Sequence, residues 1–345
     1  MRYSFIIPVY NRPDEVDELL ASLVCQQGSA FEVIVVEDGS SVPCQAVCER
    51  YADRLDLHYF AKENGGPGQA RNYGAERAQG DYFIVLDSDV VLPEGYLPAL
   101  DAALSDDSIA AWGGPDAAND SFTDIQKAIS YSMTSFFTTG GIRGGKKKMD
   151  KFYPRSFNMG VRRDVWQQLG GFAKMRFGED VDFSLRIYEA GHRCELLREA
   201  WVWHKRRTDF RKFWRQVFNS GIARINLMKR HPGSLKLVHL LPAVFTVGLA
   251  LLIVTSAVGR LLMHYDDPHR WYWLCAAPLL AIVAYALLLF VDATVKHRSL
   301  KIGCLAVGAA FVQLTGYGCG FLQAWWRRCV RGKDEFQAYE KNFYS

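Results

Sequence analysis

The sequence lacks several motifs that identify common classes of nucleotide-binding and metal-binding proteins. Its eight cysteines include no Cys-x-x-Cys pair, and the closest two, Cys44 and Cys48, have no histidine nearby, so we expect plain thiols rather than zinc ligands. "GGPGQAR" does not have the Gly-x-Gly-x-x-Gly spacing of a dinucleotide oxidoreductase. "PVYNRP" does not have the glycine-rich turn followed by lysine that a sugar nucleotidyltransferase needs. These two enzyme classes are therefore disfavoured.

The N-terminal segment "MRYSFIIPVYNRP" also has too short an apolar run for a signal peptide. We therefore expect the first domain to stay in the cytosol.

Charged residues are scarce in two stretches of the second half, although the net charge of the chain is only +4. Residues 237–259 and 271–291 are almost free of charge, and each has the length of about 20 residues that spans a bilayer. Trp271, Tyr272 and Trp273 open the second stretch as an interfacial aromatic belt would. The sequence therefore predicts two membrane helices, with a long buried core helix as the alternative for each.

A third apolar stretch, residues 302–326, is long enough to span but carries Gln313, Gln323 and several glycines. Positive charge marks the cytosolic side of a membrane protein, and both "TVKHRSLK" and "RRCVRGK" are basic. A full crossing by the third stretch would place "RRCVRGK" outside. We therefore predict that this stretch is re-entrant or interfacial and that residues 331–345 form a cytosolic tail.

Residues 1–205 alternate strand and helix signals, which predicts an α/β domain with a mostly parallel sheet. Strands are expected at 4–10, 32–41, 57–61 and 81–87, and helices after Pro13 and from about residue 65 to Gly80. The second half is expected to contain strands at 109–115, 156–161 and 194–204 and helices at 164–172 and 179–191. Ligands of parallel sheets bind at the carboxyl ends of the strands. Tyr10-Asn11, Glu37-Asp38 and the Asp87-Ser88-Asp89 segment are therefore expected to share one crevice.

Asp87 and Asp89 are two residues apart, so on an extended strand both side chains leave the same face. Paired carboxylates suit Mg²⁺ or Mn²⁺ held together with substrate phosphates. His204 ends a later predicted strand and could supply a third ligand. A solvated strand end for the two acids, and a structural or exposed position for the histidine, remain the alternatives.

Glu179 and Asp180 open a predicted helix, where the helix dipole favours ionised carboxylates. An ionised carboxylate at this position could accept a proton from an attacking hydroxyl. Acids at a helix N-terminus are also common capping residues, and the two roles are compatible.

Five segments in order resemble the family 2 glycosyltransferases of the glycosyltransferase-A fold: "SFIIPVYNRPDEVDELLASL", "VIVVEDGSS", "GGPGQARNYGAERAQGDYFIVLDSD", "NMGVRRDVWQQLGGF" and "GEDVDFSLRIYEAGH". The resemblance covers residues 3 to 205 and implies a catalytic domain of that fold. Glu37 departs from the family, which commonly has aspartate there. The Gln-x-x-Arg-Trp signature of processive synthases is absent, which makes that activity less expected.

The resemblance also implies roles for individual residues. The nucleotide-sugar site would contain Pro8, Tyr10, Asn11, Asp38, Arg71, Asp87 and Ser88. The metal would be bound by Asp87, Asp89 and His204, and catalysis would depend on Asp180 as base, with Glu179 beside it. Gly160 and Asn158 would lie in a loop near the acceptor. Members of the family invert configuration at the anomeric carbon.

Two basic segments complete the predictions. Residues 140–155, with Lys146 and Lys147, form a solvated loop or a flexible lid that contacts the diphosphate or an anionic lipid acceptor. Residues 206–236 mix aromatic and basic residues, as in an amphipathic helix at an anionic membrane surface. The neighbouring membrane segments, residues 237–330, favour lipid over nucleic acid as the partner of this charge.

Together these features predict a multi-pass protein of the inner (cytoplasmic) membrane with its catalytic domain in the cytosol. It would transfer a sugar from a nucleotide-diphosphate sugar, with UDP favoured over GDP, to a lipid-linked or cell-envelope glycan acceptor, using Mn²⁺ or Mg²⁺. A polyprenyl-phosphate sugar transferase is the nearest alternative. A non-catalytic sugar-nucleotide-binding membrane protein is a further one, although Asp38, Asp87, Asp89 and Asp180 are all retained.

Overall fold

The computed structural model describes residues 1–105, 108–117, 122–139, 152–205 and 209–335. The described residues divide into two compact units. The first contains those up to 117 and from 152 to 205, and the second those from 122 to 139 and from 209 to 335. Lys146 and Lys147 lie outside the described residues.

A seven-stranded sheet forms the centre of the first unit. In spatial order its strands are β3 (Leu57–Lys62), β2 (Phe31–Asp38), β1 (Tyr3–Val9), β4 (Tyr82–Leu86), β8 (Asn158–Arg162), β6 (Ala111–Gly113) and β9 (Cys194–Leu196). The first four are parallel, and only β8 runs antiparallel to its neighbours. Strands β1 and β4 consist of consecutive buried residues, as expected where helices cover both faces of a sheet. The predicted α/β fold with a mostly parallel sheet is confirmed.

The helices of this unit are α1 (Pro13–Val24), α2 (Gln45–Glu49), α3 (Pro67–Ala75), α4 (Tyr96–Ala103), α7 (Arg163–Leu169) and α8 (Glu179–Glu189). Helix α1 follows the predicted pattern, because Pro13 begins it and its apolar positions, three or four residues apart, are all buried. Helix α3 ends at Ala75, before the expected stop at Gly80.

A second, three-stranded sheet contains β5 (Val90–Val91), β10 (Val202–His204) and β7 (Asp116–Ala117). The single strand predicted for residues 194–204 is wrong, because β9 and β10 belong to different sheets. The chain turns between them through exposed Arg198 and Glu199 and buried Ala200, whose carbonyl accepts a hydrogen bond from Asn158. This turn brings His204 to β5 instead of to the large sheet.

The second unit is helical. It contains α5 (Asp124–Thr134), α6 (Phe136–Thr139), α9 (Phe210–Arg230), α10 (Leu241–Tyr265), α11 (Pro268–His297) and α12 (Leu300–Trp325), with a 3-10 turn at Leu237–His239 and a π-helical turn at Trp326–Val330. Three segments are long and apolar enough to cross a membrane: Leu241–Tyr265, Pro268–His297 and Leu300–Val330. The second contains the predicted span 271–291, and the first contains residues 241–259 of the predicted span 237–259. Helix α12 is continuous over Leu300–Trp325, so the chain does not reverse direction within the predicted third segment, 302–326.

Helix α9 packs along α12 at very short range. A Cβ atom on Gly221 would lie 2.2 Å from the carbonyl oxygen of Tyr317, and one on Gly320 would lie 2.0 Å from that of Phe218. Glycine at both positions lets the two backbones touch, as small residues do in close helix pairs. The apolar side of α9, including Phe213 and Val217, is buried. The exposed side of α9 carries basic residues together with Trp214, and its contact with a membrane surface stays a prediction.

Candidate active site

The candidate site lies at the carboxyl edge of the large sheet, beside β1 and β4. The chain passes from β1 outward to β2 and β3 and then returns to the other side of β1 as β4. Parallel sheets typically bind ligands at such a reversal of strand order, and here the loops after β1 and β4 meet. Arg12 follows β1, and Asp87, Ser88 and Asp89 follow β4.

Asp87, Asp89 and His204 each offer a ligand atom, and these atoms all lie within 4.8 Å of one another. Strand β10 places the histidine, because His204 pairs with Val90, the residue after Asp89. Its Nε2 atom lies 3.2 Å from Asp89 Oδ1, and its ring stacks on Phe157 with a centroid distance of 4.9 Å. The ring is thereby fixed beside the two carboxylates.

Two carboxylates and an imidazole fit a divalent cation. Oxygen ligands suit Mg²⁺ and Mn²⁺, and imidazole suits Mn²⁺ better than Mg²⁺. The His204 Nδ1 atom is buried without a hydrogen-bond partner among the described residues, and the nearest carboxylate, that of Asp116, is 4.0 Å away. The donor set therefore fits the predicted cation, while the ligand role of each residue stays a prediction.

Arg12 contacts the same aspartate and was not predicted. Its Nη1 atom donates a very short hydrogen bond to Asp89 Oδ2. Burial alone would raise the pKa of Asp89, but the hydrogen bonds and charges of His204 and Arg12 outweigh burial and lower the pKa well below its usual range. Burial alone would lower the pKa of His204, but the hydrogen bond and the charge of Asp89 outweigh burial and raise it. Asp89 is thus held as a carboxylate.

Arg71 connects this group to helix α8. Its side chain is only 3% exposed, and its guanidinium lies 2.6 Å from Asp87 and 3.4 Å from Glu179. It also lies over the ring of Phe172, 5.3 Å from the centroid. The Arg71 side chain therefore joins Asp87, after β4, to Glu179 of α8, and its contact with the donor stays a prediction.

Glu179 and Asp180 lie in the first turn of α8, while Gly178 is the N-cap residue. Neither acid is the N-cap residue, but Asp180 Oδ1 accepts a hydrogen bond from the backbone amide of Val181, 2.8 Å away, which agrees with the predicted capping alternative. Burial and the charge of Asp180 raise the pKa of Glu179 to about 7, although Arg71 opposes the shift. Asp180 Oδ2 is 3.1 Å from Arg155 Nη1, and the Asp180 side chain is 14% exposed. The Glu179 side chain is equally exposed, so the two acids differ in their partners: Asp180 pairs with Arg155 and Glu179 with Arg71.

Several residues of the predicted nucleotide-sugar site lie in or beside the loops at this edge of the sheet. Asn11 has a left-handed φ of 54°, which asparagine tolerates, and its side-chain oxygen accepts hydrogen bonds from the backbone of Ser41 and Val42. Asp38 is fully buried and accepts hydrogen bonds from Lys62 and from two consecutive backbone amides, Gly65 and Gly66. Both side chains hold loops in place, and their contact with a nucleotide stays a prediction.

The remaining predicted residues of this group differ in accessibility. Pro8 is buried in β1 opposite Val36, Ser88 is 5% exposed, and Tyr10 is partly exposed at the end of β1. Of the three, Tyr10 is the most available to a ligand.

Gly160 and Asn158 lie in the strand β8, and their place in the acceptor region stays a prediction. Gly160 lies within β8 and not in a loop, and a Cβ atom there would lie 2.2 Å from the ring of Trp112. The Asn158 side chain is fully buried, accepts a hydrogen bond from Tyr96 and donates one to the Ala200 carbonyl. Both residues are packed into the fold, which explains why these residue types occur there.

Comparison with protein families and curated proteins gives consistent matches to glycosyltransferases. Residues 4–170 match the family described as Glycosyl transferase family 2. An uncharacterized glycosyltransferase of Rickettsia typhi is 42% identical over 86 residues, which are 25% of this chain and 26% of that protein. The poly(ribitol-phosphate) beta-N-acetylglucosaminyltransferase TarS of Staphylococcus aureus is 38% identical over 93 residues, 26% of this chain and 16% of TarS.

A longer match is the pre-mycofactocin glycosyltransferase of Mycobacterium tuberculosis, 30% identical over 232 residues, 66% of this chain and 47% of that protein. Each of these three alignments spans less than half of the relative. Among solved structures, the mannosyltransferase PcManGT of Pyrobaculum calidifontis, in complex with GDP-Man and Mn²⁺, superposes with a TM-score of 0.60. The superposition covers 95% of this chain and 88% of that one at 16% identity, which shows a shared fold.

Proposed function

Because the chain contains a Glycosyl transferase family 2 domain at residues 4–170, we propose that it transfers a sugar from a nucleotide-diphosphate sugar to a hydroxyl group of an acceptor. One observation carries the proposal. Arg71 joins Asp87, one of the candidate cation ligands, to Glu179, the neighbour of the candidate base Asp180. The candidate cation ligands and the candidate base therefore belong to one connected group of side chains, which supports the proposal.

The proposed cation is Mn²⁺ or Mg²⁺, held by Asp87, Asp89 and His204. When bound, it would offset the negative charge that develops on the departing nucleoside diphosphate. We favour a UDP-sugar over a GDP-sugar as the donor. A screen of nucleotide sugars for cation-dependent release of nucleoside diphosphate distinguishes the two.

Asp180 is the proposed general base. Its carboxylate takes the proton of the acceptor hydroxyl while the oxygen attacks the anomeric carbon, with inversion as the resemblance implies. The Arg155 guanidinium, 3.1 Å away, keeps the carboxylate oriented before the acceptor binds. Glu179 is less suited to the role, because its carboxylate pairs with the buried Arg71 guanidinium, which also contacts Asp87.

The variant Asp180→Asn tests this role. Asparagine preserves the shape of the side chain but cannot take a proton, so turnover should fall by about 10²-fold or more while donor binding is retained. Asp164→Asn is a matched control, since Asp164 lies in the first turn of α7, is largely exposed and pairs with Arg162. Turnover near that of the wild type in Asp180→Asn would remove Asp180 from the mechanism.

We further propose that α10 and α11 cross the membrane as a hairpin and that α12 lies across one end of it. Gly303 of α12 packs against Phe290 and Thr294 of α11, whereas Gly318, fifteen residues later, packs against Pro242 and Thr246 of α10. Both contacts are near the end of the hairpin where α10 begins and α11 ends. A span parallel to the hairpin would instead also reach its other end, where Gly259 meets Cys275.

The charges of α9 support the same arrangement. Helix α9 packs along α12 and exposes Arg211, Lys212 and Arg215. Moving these three side chains to the centre of a bilayer would cost roughly 8 to 10 kcal/mol, at about 2.5 to 3.5 kcal/mol each. Helix α12 therefore cannot cross the bilayer with α9 attached to it. At the membrane surface, these basic side chains could instead contact anionic lipid headgroups.

Cysteine labelling tests this topology. Cys25 is exposed in the first unit and Cys329 is exposed after α12. Variants that each retain one of these cysteines should react with a membrane-impermeant maleimide from the same side, the cytosolic one. Labelling of the two cysteines from opposite sides would show that α12 crosses the membrane.

The proposed acceptor is lipid-linked or a growing glycan of the cell envelope, because a membrane-anchored enzyme favours substrates at the bilayer. The name of TarS describes transfer to poly(ribitol-phosphate), which supports the envelope class. Transfer to bare polyprenyl phosphate is the alternative, and product analysis with each acceptor separates them.

A further inference from the structure

Both carboxylate oxygens of Asp89 already have cationic or hydrogen-bonding partners. His204 Nε2 is 3.2 Å from Oδ1, and Arg12 Nη1 donates to Oδ2. The Asp89 side chain is only 10% exposed, so little of it is left open to solvent. A carboxylate has about four lone-pair sites, but a cation that binds to this nearly buried side chain would lie close to both partners and compete with them for its negative charge.

The two partners differ in what they can do once a cation is bound. Imidazole has a lone pair and can stay as a ligand, whereas guanidinium has five N–H donors and no acceptor. A guanidinium and a divalent cation also repel each other at short distance. Of the two partners, Arg12 is therefore the one that we expect to leave Asp89.

Arg12 is placed to bind an anion after it leaves. It is the residue immediately before α1, at the reversal of strand order between β1 and β4, and its side chain is 34% exposed. A guanidinium on a long, partly exposed side chain can swing to a new partner, and its planar donors match the oxygens of a diphosphate.

We propose that Arg12 is a positioning residue that makes cation binding and donor binding cooperative. Without cation, Arg12 neutralises Asp89; with cation bound, Arg12 is released and pairs with the diphosphate of the donor. The inference rests on the proposed function, because it takes Asp89 as a cation ligand and a nucleotide-diphosphate sugar as donor. The alternative is a permanent ion pair that only stabilises the loops after β1 and β4.

The test is binding, measured on the full-length chain in detergent. Mn²⁺ affinity is measured by electron paramagnetic resonance without nucleotide, and UDP and GDP affinities by calorimetry at saturating Mn²⁺. Arg12→Ala should bind Mn²⁺ at least about tenfold more tightly, because the cation no longer competes with the charged hydrogen bond from Arg12 to Asp89. It should bind the preferred nucleoside diphosphate more weakly by about the same factor, because the charged hydrogen bond from Arg12 to the diphosphate is lost. Arg12→Lys should show smaller shifts in the same directions.

Arg50→Ala is the matched control, because Arg50 forms an exposed ion pair with Asp17 in the same unit. The inference is overturned if Arg12→Ala changes neither affinity relative to this control, or if both affinities fall together. Thermal unfolding of each variant reports whether it folds. If Arg12→Ala does not fold, the affinities of Arg12→Lys test the inference in its place. A wild-type chain that binds neither Mn²⁺ nor nucleotide would instead remove the proposed function, and this inference with it.

Discussion

Replacing Arg71 with alanine should be among the most destabilising single changes in the candidate site. The guanidinium is buried and lies 2.6 Å from Asp87 and 3.4 Å from Glu179. Breaking a buried ion pair by removing one partner typically costs about 3 to 5 kcal/mol, because the other charge stays buried and unpaired. At about 2 to 4 °C per kcal/mol for a unit of this size, the unfolding midpoint should fall by roughly 6 to 20 °C.

The loss should also depend on pH. Arg71 is the main group that lowers the pKa of Glu179 against burial and the charge of Asp180. Without Arg71 this pKa rises further above 7, so Glu179 is protonated at mildly acidic pH and its unpaired charge disappears. Arg71→Ala should therefore lose more stability at pH 8 than at pH 5.5.

Unfolding followed by intrinsic fluorescence at the two pH values measures the effect. The exposed ion pair of Arg50 provides the control, since Arg50→Ala should cost at most about 1 kcal/mol. A loss in Arg71→Ala no larger than in this control, or a larger loss that is the same at both pH values, would refute the reasoning.

Two further variants test the site and the sheet beneath it. In the wild type, protonated Glu179 contributes stability that is fully present below the unfolded pKa of 4.5 and is lost as pH rises through the folded pKa of about 7, in total about 3 kcal/mol. Glu179→Gln should abolish this slope in denaturant titrations between pH 4.5 and 8, and an unchanged slope would contradict the assignment. Gly160→Ala should cost about 1 to 3 kcal/mol or more, because its Cβ atom would lie 2.2 Å from the Trp112 ring. Gly95→Ala, where a Cβ atom meets nothing within 4 Å, should be close to neutral, and equal unfolding midpoints for the two variants would show that the sheet adapts.

Local patterns were sufficient for the parts of the fold that depend on neighbours in sequence. The apolar runs of β1 and β4 and the three- and four-residue spacing in α1 predict the elements that the structure has. The segment 194–204 failed because its apolar residues do not indicate that the chain changes sheets at Ala200. That turn depends on a hydrogen bond from Asn158, which is 42 residues away.

The candidate site shows the same division. The spacing of Asp87 and Asp89 and the strand-end position of His204 are local signals, and the three residues come together. Arg12 and Arg71 act through partners 77 and 108 residues distant, Asp89 and Glu179, so their ion pairs are not visible in any short segment. The loop after β1 and the loop after β4 meet only because of the strand order, which is the signal by which Arg12 could have been found.

The acceptor role of Gly160 and Asn158 stays a prediction for a different reason. The resemblance gave both residues an acceptor role, but a glycine against Trp112 and an asparagine bonded to Tyr96 are explained by packing and buried hydrogen bonding alone. A residue type shared with a family motif does not show whether the residue is there for acceptor binding or for packing.

The position of a bound cation tests the central claim most directly. Crystals grown with Mn²⁺ and a nucleoside diphosphate, measured at the manganese absorption edge, should show an anomalous peak coordinated by Asp87, Asp89 and His204 and in contact with the diphosphate. A peak at the other group of potential ligands, Glu32, Asp56 and His58, or diphosphate bound away from Asp89, would contradict the account.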